Sequence, residues 1–218
     1  MKKYICELIG TFFLVFAGTG AIIANDIYTG SVGHLGIAFS FGLVVMAVIY
    51  AIGDTSGAHI NPAVTLSFFY TKRISLRDMV FYIIFQCFGA ILASLFLKLA
   101  FPAHQTLGIT IPTISIWAAF IYEYLLTFLL MFVILSVSTG AKEKGLMAGV
   151  AIGGTVALEA LFAGPVTGAS MNPARSLGPA IISGHFTHLW IYIFGTGLGA
   201  LSAVPACKLL RSQCCSST

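Results

Sequence analysis

The sequence contains two copies of the tripeptide Asn-Pro-Ala, at Asn61-Pro62-Ala63 and Asn172-Pro173-Ala174. Of all its residues, these are the ones whose types and spacing indicate a functional site. Asn is a favoured helix N-cap, and Pro is favoured at the first helical position because its missing N–H would have no partner there. Each copy therefore predicts a helix start that combines amide N–H donors with the positive end of a helix dipole. Such a site favours a neutral molecule with a lone pair over a cation or a proton. For a single copy, the alternative is a simple cap on an interfacial helix.

The elements that position these turns are predicted to be membrane spans. Of the 218 residues, 58% are hydrophobic and 8% are charged, and the mean hydropathy is +0.99, whereas soluble domains carry about 25% charged residues. This composition excludes a soluble globular fold. The net charge of +4 never gathers into a basic stripe, which excludes a nucleic-acid binder. Six apolar runs of the length of a span lie at about 4–24, 35–52, 79–101, 116–138, 146–163 and 187–210.

Two further apolar stretches, Pro62–Tyr70 and Pro173–Ser183, are too short to cross a bilayer. Each begins at one of the Asn-Pro-Ala copies, so each predicts a re-entrant half-helix. Irregular backbone at this depth is tolerated only where it is buried in protein or lines a water-filled path.

The chain repeats itself. The pattern Glu7-x-x-x-Thr11-Phe12 recurs as Glu123-x-x-x-Thr127-Phe128 at an offset of 116, and the two Asn-Pro-Ala regions are related by an offset of 111. We predict one channel domain over 1–218, with a first repeat at about 1–101, a second at about 116–210 and a tail at 211–218. Because each repeat has three spans, the second must be inverted, which is a signature of transport proteins.

The placement of Lys and Arg predicts that both termini are cytoplasmic in a multi-pass membrane protein. Nine of the eleven basic residues fall on the inner side, and Lys98 and Arg175 fall on the outer side. The inner group comprises Lys2, Lys3, Lys72, Arg73, Arg77, Lys142, Lys144, Lys208 and Arg211. The short tails suggest a bacterial inner membrane. Cys214 and Cys215 are expected to be free thiols, with acylation as the alternative. No Cys-x-x-Cys spacing occurs, so no metal site is predicted, and no cofactor is expected.

The paired motifs resemble the aquaporin, or major intrinsic protein, family over essentially the whole chain. They are Ser56-Gly-Ala-His-Ile-Asn-Pro-Ala-Val-Thr65 and Ser170-Met-Asn-Pro-Ala-Arg-Ser176, with Glu-x-x-x-Thr-Phe opening each half. The stretch from Ala163 to Pro179 looks like the nodulin-like branch and its bacterial relatives. The resemblance implies an all-α membrane protein of six tilted spans and two half-helices in a right-handed bundle. It also implies a homotetramer with one pore per subunit, embedded in the lipid bilayer, that passes water or small neutral solutes.

The resemblance further implies a selectivity filter at Phe41, Ala160, Ala169 and Arg175. Water-selective members generally have His where this chain has Ala160, and glycerol facilitators usually have Asp where it has Ser176. The two alanines predict a wider and less polar filter that admits glycerol, urea, ammonia or metalloid hydroxides as well as water, while protons and ions are excluded. The alternative is a strictly water-selective channel.

Several other polar residues receive roles with open alternatives. Glu7 and Glu123 occupy equivalent places and are expected to accept hydrogen bonds from re-entrant backbone N–H groups, with Gln86 in a similar role, rather than to relay protons. His59 either lines the cytoplasmic vestibule or forms a hydrogen bond at the helix entry. Glu159 either braces the outer loop or brings negative charge near the filter. Four histidines are expected in solvated outer loops, with a pH gate as the alternative: His34, His104, His185 and His188.

Two other classes of protein are weighed against a channel. An ion-coupled secondary transporter also uses inverted repeats and broken helices, but it would normally place carboxylates at the centre, where this chain has Asn, Pro and Ala. An enzyme is not expected, because no Gly-x-Ser-x-Gly, His-Glu-x-x-His or phosphate-binding Gly-Lys motif occurs.

Overall fold

The computed structural model describes residues 1–138 and 146–210. Lys142, Lys144, Arg211, Cys214, Cys215 and the predicted tail at 211–218 lie outside the described residues. Within them the chain is all-helical, with eight α-helices. These are α1 (Lys2–Ile27), α2 (Gly33–Ser56), α3 (Pro62–Tyr70), α4 (Leu76–Ala100), α5 (Ile116–Val137), α6 (Ala148–Thr167), α7 (Pro173–Ser183) and α8 (Leu189–Leu210).

Six of these helices are long and apolar enough to cross a membrane: α1, α2, α4, α5, α6 and α8. They confirm the six predicted spans. The largest difference at a helix start is at α4, which begins at Leu76 rather than near 79. Ser75 caps this helix, since its Oγ accepts a hydrogen bond from the Asp78 N–H at 3.1 Å, so a polar first turn precedes the apolar run.

The two short helices α3 and α7, of 9 and 11 residues, begin at the prolines of the two Asn-Pro-Ala copies. Asn61 caps α3 by accepting a hydrogen bond from the Ala63 N–H at 2.9 Å. Asn172 caps α7 by accepting one from the Ala174 N–H at 3.0 Å. The cap chemistry that predicted two helix starts is therefore present at both.

The helices pack as two equivalent units. In the first unit α1 packs on α4, and in the second α5 packs on α8. Each half-helix packs mainly on the last helix of the other unit, α3 on α8 and α7 on α4, and α2 contacts α6 across the centre. Residues from both units therefore meet in the middle of the bundle.

The contact between α2 and α6 depends on two glycines that face each other. A Cβ atom on Gly42 would lie 2.5 Å from the Gly153 carbonyl oxygen, and a Cβ on Gly153 would lie 2.5 Å from the Gly42 carbonyl oxygen. Any side chain at either position would push the helices apart. Close approach through small residues is the usual way helices associate in lipid.

Six crossings bring both ends of the described chain to one side of the bundle. We call this side the terminal face. The opposite side, the loop face, carries the connections at 28–32, 101–115 and 184–188.

Candidate functional site

The two Asn-Pro-Ala turns meet back to back in the interior. The Asn61 Nδ2 donates a hydrogen bond to the Met171 carbonyl at 2.7 Å, and the Asn172 Nδ2 donates one to the Ile60 carbonyl at 2.8 Å. Each side chain thus bonds to the backbone of the other turn. An amide nitrogen carries two protons, so each Asn keeps a second N–H for another acceptor.

The backbone before each Asn is strained in the same way. Ala58 and Ile60 have φ values of 46° and 43°, and Ala169 and Met171 have φ values of 39° and 54°. Residues with a side chain seldom adopt this left-handed region. Four such residues lie beside two helix N-termini. Their surroundings must hold the backbone in this unfavourable conformation, which is typical of a functional site.

Glu7 holds the first strained turn. Its carboxylate, fully buried on α1, accepts from the His59 N–H at 3.0 Å and from the Ile60 N–H at 2.6 Å. The Gln86 Nε2 donates to the same carboxylate at 2.7 Å and to the Thr65 hydroxyl at 2.9 Å. Backbone donors that would lack water at this depth therefore have charge-assisted partners.

Glu123 holds the second turn with equivalent bonds. It is fully buried on α5 and accepts from the Ser170 N–H at 3.0 Å, the Met171 N–H at 3.0 Å and the Thr167 hydroxyl at 2.7 Å. Glu7 and Glu123 thus accept hydrogen bonds from re-entrant backbone N–H groups, whereas Gln86 bonds to the side chains of Glu7 and Thr65 and not to the backbone of the turn.

A second pair of equivalent side chains was not predicted from the sequence. The Tyr82 hydroxyl donates to the Ser56 carbonyl at 2.7 Å, and the Tyr192 hydroxyl donates to the Thr167 carbonyl at 2.6 Å. These bonds fasten the residue that ends α2 and the residue that ends α6. Because Tyr82 and Tyr192 are 110 residues apart, the repeat offset was the signal that could have found them.

A cavity of about 550 Å³ leads from the terminal face into the bundle. Its entrance is lined by Tyr50, Asp54 and Leu146, and it passes Asn61 and Asn172. It ends at Phe41, Ala169 and Arg175. The two turns and three of the predicted filter residues therefore share one continuous space.

Arg175 forms the far end of this cavity and is 2% exposed. Its guanidinium carbon lies 4.9 Å from the centre of the Phe41 ring, within the range of a cation–π contact. The Nη1 atom donates to the Gly108 carbonyl at 2.8 Å, while the buried Nε–H has no hydrogen-bond partner within the described residues. A buried guanidinium with an unused donor can bind a neutral acceptor and repel a cation.

A comparison with protein families gives an independent result. The model of the family described as Major intrinsic protein matches residues 1–205. The chain belongs to the major intrinsic protein family.

Individual members of the family agree with this assignment. The chain is 45% identical over 212 residues to Aquaporin NIP1-1 of Zea mays, covering 97% of this chain and 75% of the relative. It is 42% identical over 212 residues to Nodulin-26 of Glycine max, covering 97% and 78%. The resemblance to the nodulin-like branch is thus confirmed.

A solved structure of the family has the same fold. The aquaglyceroporin from Plasmodium falciparum superposes with a TM-score of 0.84 at 27% sequence identity, covering 96% of both chains. This match confirms the predicted all-α fold, and the family is one of channels for water and small solutes.

The two alanines predicted for the filter, Ala160 and Ala169, differ in their position relative to the cavity. Ala169 lines the cavity, whereas α6 contributes Val156 to the lining, one turn before Ala160. Ala160 is buried and belongs to the same hydrophobic cluster as Phe41 and Ala169. Three of the four predicted filter residues, Phe41, Ala169 and Arg175, therefore line one cavity, whereas Ala160 is not among the residues that line it.

His59 combines the two roles considered for it. Its side chain lines the cavity and its Nδ1 lies 3.2 Å from the Thr65 hydroxyl. The ring stacks on Phe68 at 4.5 Å and meets Tyr82 edge-on at 5.0 Å. These contacts fix the imidazole in the wall of the cavity.

Glu159 differs from the other two buried glutamates. It is fully buried on α6, yet neither carboxylate oxygen has a hydrogen-bond partner within the described residues. Among the residues that the structure describes, it therefore makes no hydrogen bond that would brace the re-entrant loop. A search of the described residues for three or more His, Cys, Asp or Glu side chains able to hold a metal ion found none.

Proposed function

We propose that water and small uncharged solutes cross a membrane passively through the cavity that joins the two Asn-Pro-Ala turns to Arg175. The observation that carries this proposal is the meeting of Asn61 and Asn172 in one continuous space, each bonded to the other's turn. A solute there meets two free amide N–H groups and the Arg175 guanidinium, all of which are donors. Acceptor-rich neutral molecules fit this lining.

Three sources of positive charge along the cavity support the exclusion of cations and protons. The N-termini of α3 and α7 each present roughly +0.5 of a charge, and Arg175 adds a buried full charge near the second terminus. A single file of water between two such helix ends would orient oppositely on either side of the Asn pair. A proton cannot relay through a file whose hydrogen bonds reverse direction at its centre.

The solute range rests on the small side chains at the far end of the cavity. Ala169 lines that end beside Phe41 and Arg175, and Ala160 is buried one turn after Val156, which also lines the cavity. Similarity to a protein named an aquaglyceroporin supports passage of glycerol-sized molecules. We therefore infer that glycerol, urea, ammonia or metalloid hydroxides pass as well as water. Strict water selectivity is the alternative that the experiment below distinguishes.

We infer the orientation and location of the protein in the membrane from the distribution of its basic residues and from its family. Of the nine basic residues assigned to the inner side, the six within the described chain lie at the terminal face: Lys2, Lys3, Lys72, Arg73, Arg77 and Lys208. Positive charge concentrates on cytoplasmic ends of spans, so both termini are proposed to be cytoplasmic, in a bacterial inner membrane. We also propose a homotetramer with one pore per subunit, which native mass spectrometry in detergent would test.

The experiment is a solute panel across liposomes that contain the purified protein. Stopped-flow light scattering would compare water, glycerol, urea and arsenous acid, with empty liposomes as the baseline. We expect fluxes that are bidirectional, non-saturating and low in activation energy. Saturable uptake driven by an ion gradient would instead identify a secondary transporter. A pore that passes water and rejects all three solutes would establish the strictly water-selective alternative.

A further inference from the structure

The carbonyl of Leu161, on α6, lacks its usual partner within the helix. In an α-helix this oxygen accepts a hydrogen bond from the N–H four residues later, but that residue is Pro165, which has no N–H. A carbonyl left open in a membrane span needs another donor. His34, in the first turn of α2, supplies it, since its Nε2 lies 2.5 Å from the Leu161 oxygen. Because a carbonyl only accepts, the imidazole is the donor.

Carbonyls that follow in the last turn of α6 also bond to groups outside this helix. The Thr113 hydroxyl donates to the Pro165 carbonyl at 3.0 Å, and the Thr113 N–H donates to the Val166 carbonyl at 2.9 Å. The Tyr192 hydroxyl donates to the Thr167 carbonyl at 2.6 Å. The last turn of α6 is thus held by three other parts of the chain, which are α2, α8 and the connection between α4 and α5.

The His34 bond joins the two helices that lead to the constriction. Phe41 lies on α2 two turns after His34, and Ala169 follows the end of α6 by two residues. Both line the end of the cavity together with Arg175. The His34 ring also packs on α6 one turn after the bond, since a Cβ at Gly164 would lie 3.0 Å from the His34 Cε1. The separation of α2 and α6 at this end therefore affects the space between these lining residues.

Two other contacts hold the same pair of helices. At the terminal face the Tyr50 hydroxyl donates to the Leu146 carbonyl at 2.9 Å, just before α6 begins. In the middle Gly42 packs on Gly153. The His34 bond is a third contact, at the loop-face end. Loss of this bond would therefore leave the helices joined at the terminal face and in the middle, and would act on the end where the constriction lies.

We propose that His34 is a positioning residue that sets the width of the constriction, because it holds the part of α6 opened by Pro165 against α2. Without this bond the last turn of α6 moves away from α2, Ala169 moves with it, and the space beside Phe41 widens. Larger neutral solutes then pass more readily relative to water. This inference rests on the proposed channel function and names a residue that determines which solutes the same constriction admits.

The test compares two amide substitutions of His34 in proteoliposomes. H34Q places its amide nitrogen near the position of the imidazole Nε2 and keeps the bond, whereas the H34N side chain is one methylene shorter and does not reach the Leu161 carbonyl. In stopped-flow measurements H34Q should have the wild-type ratio of glycerol to water flux. H34N should have a ratio about fivefold higher, the factor that corresponds to one net hydrogen bond. An unchanged or lower ratio in H34N, or an equal rise in both variants, would overturn the proposal.

Two further variants test whether the effect is specific to this bond. H185N changes another exposed histidine of the loop face in the same way and should keep the wild-type ratio. In P165A the new N–H can bond to the Leu161 carbonyl within α6, so a donor from α2 is no longer needed. Adding H34N to P165A should therefore leave the ratio of P165A unchanged. A fivefold rise in H185N, or the same rise from H34N in the P165A background, would contradict the inference.

Hydrogen exchange separates a failure of this inference from a failure of the channel function. In purified protein, mass spectrometry should find faster exchange of the backbone amides at 163–168 in H34N than in the wild type, and wild-type exchange in H34Q. Equal exchange in H34N and the wild type would overturn the inference. If no solute passes through any variant, the channel function fails, while the exchange measurement still decides whether His34 holds the last turn of α6.

Discussion

The guanidinium of Arg175 lies 4.9 Å from the centre of the Phe41 ring, and the two side chains come from opposite repeats of the chain. Arg175 stands one turn into α7, and Phe41 stands on α2. Neither repeat contains both sides of the constriction, so the narrow point forms only when the two units pack. We therefore expect changes at this point to affect selectivity.

Removal of the Arg175 charge should open the channel to cations. A unit charge at about 4 Å opposes another by about 1 kcal/mol in water and about 4 kcal/mol near a protein surface, so R175A should raise cation leak on the order of tenfold or more. Conductance across planar bilayers would measure it. R77A, which removes an arginine that packs over Phe81 away from the cavity, is the control. Equal leak in the two variants would contradict a role for Arg175 in exclusion.

A larger residue at position 160 should narrow the solute range. A160H places a ring one turn after Val156, which lines the cavity, where the chain now has a methyl group. Steric discrimination in such a pocket amounts to about tenfold or more, so glycerol flux should fall by about that factor while water flux changes less. Stopped-flow measurement on both solutes gives the ratio. An unchanged ratio of glycerol to water flux would exclude Ala160 from the filter.

Gly18 on α1 supports Phe41 from behind. A Cβ at Gly18 would overlap the Phe41 ring, whereas a Cβ at Gly20 would meet the Leu97 Cδ2 at 3.5 Å, an ordinary contact. G18A should push the ring toward Arg175 and reduce glycerol flux, and G20A on the same helix should not. Equal glycerol flux through G18A and G20A would show that the Phe41 ring moves away from Arg175 and not toward it.

Glu123 and Glu159 offer a direct comparison of buried glutamates. Glu123 accepts three hydrogen bonds, so E123Q would turn an amide NH₂ toward backbone donors and lower the free energy of unfolding by about 2–4 kcal/mol. Glu159 has no hydrogen-bond partner within the described residues, so E159Q should change stability by less than about 1 kcal/mol, or increase it. Thermal unfolding in detergent, followed by tryptophan fluorescence, would show the difference. Equal losses would mean that the three bonds to Glu123 carry no net stability.

The sequence predicted the two half-helices well because the interactions that start each helix lie within a few consecutive residues. Asn61 and Asn172 cap helices through bonds to residues two positions away, so the tripeptide itself carries the information. The internal repeat of the sequence predicted that Glu7 and Glu123 occupy equivalent positions. Backbone N–H groups at membrane depth need acceptors where water is absent, and these two carboxylates, one in each repeat, were the matching candidates.

Other features had no local signal. Whether Glu159 has a partner depends on which side of α6 faces α5, and the cavity lining by Val156 depends on the rotation of that same helix. The bonds of Tyr82 and Tyr192 join helix ends that are 26 and 25 residues away along the chain. His104 was expected to be a solvated loop histidine, but its side chain is only 9% exposed, because the packed turn brings it against the Asp26 carboxylate and the Leu107 N–H.

The sequence by itself determined the membrane class, the six spans, the two half-helices, the inverted repeat and the family, because span length, cap chemistry and repetition are properties of consecutive residues. Only the tertiary structure decided that each Asn bonds to the other repeat's turn, that Arg175 meets Phe41 and Gly108, and that Glu159 has no partner in the described protein. Those facts depend on helix rotation and on contacts across the repeats. Packing of the two units fixes them, and no stretch of one repeat contains that information.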